Sequence, residues 1–301
     1  MNKIKGLILV LLVSILTLST VSCSKKTASL SGTIKIDGSS TVGPITQAVA
    51  EEFKKVNKDV EIAVGISGTG GGFKKFVVGE TDINDASRPV KREEIDKAKE
   101  NNIEMTEFEV AKDGIAVVVN KENTWVSDIT VEQLKKIWSK DSTVKTWKDV
   151  DPSWPDIPIK LYGPGTDSGT FEYFTEAING KAKEIRPDFT ASEDDNVLVQ
   201  GVEGDKGALG YFGLAYYEEN KDNLKILKVN GVEPSLETVM NGTYKPLSRP
   251  LYIYVNNKSL ERAEVKEFVK FYLTKAKDLV KEVGYIPLQD SKYQEQLSKI
   301  K

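Results

Sequence analysis

The chain is 301 residues long, with 42 Lys and Arg against 45 Asp and Glu for a formal charge of −3, one cysteine and no histidine. Without histidine, His-based triads, His general bases and His metal sites are excluded, and one cysteine cannot form an internal disulfide or a zinc cluster. The acidic balance disfavours nucleic acid as a partner but not a small anion, because helix N-termini and single arginines set the field inside a cleft.

Lys3 and Lys5 precede the apolar run Leu7 to Leu18, and small or polar residues lead to Cys23, so residues 1–22 have the layout of a signal peptide. The apolar run is shorter than the roughly 20 residues that a spanning helix needs. A lone cysteine just past such a core resembles the lipidation site of bacterial lipoproteins, with Thr20 where that pattern usually has Leu. The resemblance implies export and a lipid anchor on Cys23 at the outer face of the cytoplasmic membrane, with residues 23–31 as a polar lipidated tether. Removing residues 1–22 takes two lysines and no acid, which moves the net charge from −3 to −5.

Beyond the tether, Thr33 to Asp37 alternates like a strand, Gly38 to Pro44 turns, and Ile45, Val49, Phe53 and Val56 mark one face of a helix. Val60 to Ile66 is a second strand. Ser67-Gly68-Thr69-Gly70-Gly71-Gly72 is a turn nearly stripped of side chains, and Phe73, Phe76 and Val77 begin another helix. Further on, Ile157 to Tyr162 reads as a strand broken by Gly163-Pro164-Gly165, after which Asp167-Ser168-Gly169-Thr170 opens a helix with Phe171, Phe174, Ala177 and Ile178 at helical spacing. The first N–H groups of a helix lack intrahelical partners and carry the positive end of its dipole. Three strand-to-helix turns rich in Ser, Thr and Gly therefore point to one shared oxyanion, although each by itself is also an ordinary helix cap.

Roughly 270 residues after the leader suit two domains, and alternating strands and helices without a repeat imply mainly parallel sheets flanked by helices. Gly114 to Asn120 and Leu251 to Val255 are β-branched or apolar runs, taken as the crossings between two lobes at about 114–120 and 249–255. Residues 32–113 and 256–301 would form lobe 1, and residues 121–248 lobe 2. The final helix, with Val265, Phe268, Val269, Tyr272 and Leu273, is expected to pack back on lobe 1.

Gly38-Ser39-Ser40-Thr41, the Ser67 to Gly72 turn, Ala86-Ser87-Arg88-Pro89, the Gly163 to Thr170 segment and Gly207-Ala208-Leu209-Gly210-Tyr211 occur in the order found in the phosphate-binding proteins of bacterial high-affinity phosphate ABC importers. The chain resembles that family over nearly its whole mature length. The resemblance implies the type II, two-lobed periplasmic-binding-protein α/β fold, with inorganic phosphate held in the cleft and passed to permease subunits. It also implies a monomer that touches the membrane only through its anchor, with no cofactor, metal or catalytic residue.

Carried over by position, Ser40 and Thr41, then Thr69, then Ser168, Gly169 and Thr170 are the expected donors. Many members carry an Arg shortly before the Ser-Gly-Thr, where this chain has Pro164. Arg88, beside Ser87, can replace that cation, since a guanidinium makes paired bonds to phosphate oxygens. Hydrogen phosphate carries a proton and sulfate does not, so selectivity calls for an acceptor. The family often places Asp where Ser87 stands; Asp167 and Asp85 are the alternatives here, and both stay open.

Other readings are weaker. An aspartic-type hydrolase built on Asp167-Ser168-Gly169 needs a second copy and an all-β setting, neither signalled. Gly68 to Lys75 lacks the Ser or Thr that completes a nucleotide loop. A receptor for sulfate, molybdate or a phosphonate is the alternative of the same class. Trp125, Trp138, Trp147 and Trp154 are expected in the lobe 2 core or cleft, and Glu193-Asp194-Asp195 as a solvated helix start.

Overall fold

The computed structural model describes residues 30–166, 168–192 and 194–300. The leader, Cys23, the tether up to residue 29, Asp167 and Glu193 lie outside the described residues. Among the described residues no helix is long and apolar enough to cross a membrane.

Strand β1 (Gly32–Gly38) buries Ile34 and Ile36 and leads through the Ser39–Val42 turn into helix α1 (Gly43–Val56). Pro44 stands in the first turn of α1, where a missing N–H costs nothing, and Ile45, Val49 and Phe53 form its buried face. β2 (Val60–Val64) then feeds α2 (Thr69–Phe76), and β3 (Ile83–Ala86) feeds α3 (Arg92–Glu100). β4 (Met105–Asn120) is followed by the short β5 (Asp128–Ile129), by β6 (Lys160–Pro164) and by α4 (Gly169–Phe174), which continues as a π-helical turn over Thr175–Asn179. After these come β7 (Thr190–Ser192), α5 (Asp195–Glu203), β8 (Ala208–Gly213), β9 (Leu224–Ile226), β10 (Lys228–Val229), β11 (Ser248–Asn256), α6 (Ala263–Glu282) and β12 (Ile286–Pro287).

The strand order is β2-β1-β3-β11-β4-β8-β6-β7, with β9 and β12 also on β4. The outer strands match the expected parallel arrangement: β2 and β3 flank β1, and β7 and β8 flank β6, all parallel. The centre does not. β11 runs antiparallel to β3 and β4, and β4 antiparallel to β8, so each half-sheet is mixed rather than mainly parallel.

β4 passes through both halves. Phe108, Val110 and Ala111 belong to the core that holds α1 and α6, whereas Ile115 to Val119 belong to the core that holds Trp138, Trp147 and Tyr211. Gly114–Asn120 is thus the second half of one long strand, and residues 249–255 lie within β11, paired to β3 and β4. α6 buries Val265, Phe268, Val269, Tyr272 and Leu273 and packs on α1, with the Phe53 and Phe268 rings edge to face at 5.3 Å.

One local expectation shifts. The strand near residue 160 runs through Gly163 and Pro164 because both pair with β7, while Ile157 and Ile159 bond instead to Trp147 and Lys145. All four tryptophans are in the second core, Trp138 and Trp147 fully buried and Trp125 and Trp154 packed against it. Asp194 caps α5 by accepting from the Asn196 N–H, which gives that acidic stretch a local structural role.

Candidate functional site

The turns after β1, β2 and β3 open on the same side and, with α4 from the other half, enclose a cavity of about 480 Å³. Its wall includes Ser40 and Thr41, Ser67 to Gly71, Ser87 and Arg88, then Glu172, Tyr173 and Glu176, and finally Arg249. Turns at the carboxyl ends of parallel strands converge by topology, so the shared site follows from the strand order.

The first turn is held by hydrogen bonds at both ends. Ser39 Oγ accepts the Thr41 N–H at 3.2 Å, and the Ser39 N–H donates to the Asp85 carbonyl at 3.0 Å. Beneath it Asp37 accepts from the Ser67 N–H and hydroxyl and from Lys75 Nζ. Burial pushes the Asp37 carboxyl up, but the Lys75 and Ser67 hydrogen bonds outweigh it and hold the group below its ordinary value. Asp37 therefore ties the first turn to the second. Gly68 caps α2 with φ of 76°, a left-handed geometry that favours glycine. Thr69 Oγ1 accepts the Ser87 N–H at 3.1 Å and lies 3.1 Å from Ser87 Oγ, which binds the second turn to the third.

Of the residues singled out in sequence, Ser40, Thr41, Thr69, Ser87 and Arg88 are on the cavity wall. Ser168 caps α4, its hydroxyl oxygen accepting the Thr170 and Phe171 N–H groups at 3.1 and 3.4 Å. Gly169 meets the first turn: a Cβ there would stand 2.6 Å from Thr41 Oγ1. What α4 and its continuation present to the cavity is Glu172, Tyr173, Glu176 and Ala177, and not Ser168, Gly169 or Thr170. Asp85 is fully buried behind the first turn and is not on the cavity wall.

Arg88 is partly committed elsewhere. Its two terminal nitrogens donate to the Glu94 carboxylate at 2.9 and 2.8 Å, and its guanidinium lies 5.5 Å from the Phe73 ring centroid. Arg249, absent from the sequence candidates, is the cation at the junction. The β4–β11 register sets it opposite Asp113, and Nε is 3.2 Å from Asp113 Oδ2. Its Nη2 donates to Thr41 Oγ1 at 2.8 Å, and its guanidinium sits 3.6 Å from the Tyr173 ring centroid. Burial lifts the Asp113 carboxyl above its ordinary value while the Arg249 charge and hydrogen bond pull it down. Because Thr41 Oγ1 accepts from Arg249, its own proton is left to donate to a bound anion. The sequence offered one weak signal for Arg249, a cation directly before the Pro250 that opens an apolar run.

A PBP superfamily domain model matches residues 24–276. The chain is 52% identical over 267 residues to Protein SphX of Synechococcus elongatus, covering 86% of this chain and 79% of that one. It is 45% identical over 275 residues to the phosphate-binding protein PstS of Staphylococcus saprophyticus, covering 89% of this chain and 84% of the relative. The chain belongs to the PBP superfamily, within the family of PstS phosphate-binding proteins. The crystal structure of a possible phosphate-binding protein from Planctomyces limnophilus superposes with a TM-score of 0.88 at 51% identity, covering 90% of this chain and 99% of that one. The mixed sheet with flanking helices is thus the PBP fold.

Proposed function

We propose that this chain captures one inorganic phosphate between its two half-sheets and delivers it to an ABC permease. The observation that carries the reading is the cavity itself, which hydroxyls from three turns line together with Arg249, itself bonded to Thr41. The names of its PstS relatives support it. On this reading Ser40, Thr41, Thr69, Ser87 and Arg88 serve from one lobe and Asp167, Ser168, Gly169 and Thr170 from the other, with Asp167 as the proton acceptor and Arg249 between them. The lobes rotate about β4 near Asp113 and about the start of β11, and closure excludes water from the anion. The protein binds and releases without chemistry, acts as a monomer, and is exported and held at the outer face of the membrane through Cys23.

Titration calorimetry at neutral pH tests the ligand: phosphate should give one site per chain, and excess sulfate should not displace it. Heat with molybdate or sulfate but none with phosphate would reassign the anion. Cell fractionation tests the anchor, since Cys23→Ala should leave the protein unprocessed or shed it from the membrane. Wild-type protein found wholly in the culture fluid would contradict lipidation.

A further inference from the structure

The cavity carries a carboxylate where an anion is to bind. Ser40 Oγ, one of the donors expected for the ligand, donates to Glu172 Oε2 at 3.1 Å and so joins the first turn to α4 across the cleft. A serine hydroxyl has one proton, and it cannot serve Glu172 and a ligand oxygen together. Among the described residues no guanidinium pairs with this carboxylate, since Arg88 is forked onto Glu94 and Arg249 bonds to Asp113 and Thr41; its ion-pair partner is the half-exposed Lys183, with Nζ a long 4.0 Å from Oε2. Gly169 is pressed against Thr41 one turn earlier on the same element, so the two halves already touch at this point.

We propose that Glu172 is a tethered competitor for the bound anion: its carboxylate takes the Ser40 hydroxyl, latches the lobes together without ligand, and is displaced when an oxyanion enters. This rests on the phosphate reading above and adds its regulation. A charge-assisted bond across the cleft is strong enough to hold a closed population, yet it is local and is exchanged for the same hydroxyl on a ligand oxygen. The carboxylate also opposes any anion by direct repulsion, whatever that anion's protonation state. Empty closure and weakened binding are then two effects of one group.

The test uses the full mature chain and its Glu172→Gln and Glu172→Ala variants, with phosphate and sulfate as probes. Calorimetry should show Glu172→Gln tightening both anions by about tenfold, the size of one charge-assisted bond, with their ratio unchanged. Small-angle scattering without ligand should show Glu172→Ala more extended than wild type, and saturating phosphate should make the two alike. Weaker phosphate with stronger sulfate would overturn the proposal and make Glu172 the proton acceptor. Unchanged affinities and unchanged scattering would also overturn it, leaving Glu172 a wall residue. The scattering comparison needs no ligand, so wild-type protein that ignored phosphate would sink the transport reading while the latch was still judged.

Discussion

Arg249→Ala is expected to weaken phosphate binding by two to three orders of magnitude, since truncating a largely buried cation that faces an anion costs roughly 2–5 kcal/mol. The same change leaves Asp113, 2% exposed, without its ion-pair partner. Breaking a buried pair from one side costs about 3–5 kcal/mol, and each kcal/mol lowers Tm by about 2–4 °C in a domain of this size. Arg249→Lys separates the two roles: one ammonium keeps the charge but cannot reach Asp113, Thr41 and the Tyr173 ring with the geometry of a planar fork. Calorimetry and thermal melts on both variants should place lysine between wild type and alanine. Arg88→Ala should weaken binding less, because its fork is held by Glu94, and Lys74→Ala should change little. Wild-type phosphate affinity in a destabilised Arg249→Ala would confine Arg249 to a structural role.

The second large effect concerns pH. Asp85 is fully buried, and burial pushes its carboxyl from 3.8 up to about 8, the Thr46 hydroxyl opposing the rise and the charge of Asp37 adding to it. Between those values the folded chain keeps the proton that the unfolded chain has lost. Stability from this group is therefore complete below pH 4, falls as pH rises by at most about 1.4 kcal/mol per unit, and levels off above pH 8. Asp85→Asn cannot ionise and should escape the decline. Urea melts of both proteins at pH 5, 6, 7 and 8 should show the variant's advantage growing with pH. A constant difference across that range would mean that Asp85 does not hold a proton when folded.

The turns were legible because their signals are local. Gly38 to Pro44 and Ser67 to Gly72 each stand between an alternating strand and a helical face, and that order alone brings backbone N–H groups and hydroxyls to the end of a parallel strand. Phe171, Phe174 and Ile178 are buried at the spacing read from sequence, although the helix slackens into a π-helical turn after Phe174. The mixed sheet was not legible. Leu251 to Val255 is equally apolar whether it crosses between lobes or runs antiparallel inside a sheet, since a buried strand carries no direction in its composition.

From its sequence alone this chain determined an α/β fold, the Ser/Thr/Gly turns after its first two strands, and a composition without histidine. These depend on residue type and short spacing, which the chain carries in itself. Tertiary structure alone decided which charges face the cleft. Arg249 and Asp113 are 136 positions apart and meet only through the β4–β11 register; Ser40 and Glu172 are 132 apart and meet only where the halves touch. It also turned Arg88 toward Glu94 and Gly169 onto Thr41, and it buried Asp85 away from the cavity. A guanidinium or carboxylate is equally polar at any position, and its partner is chosen by the strands and helices that pack beside it.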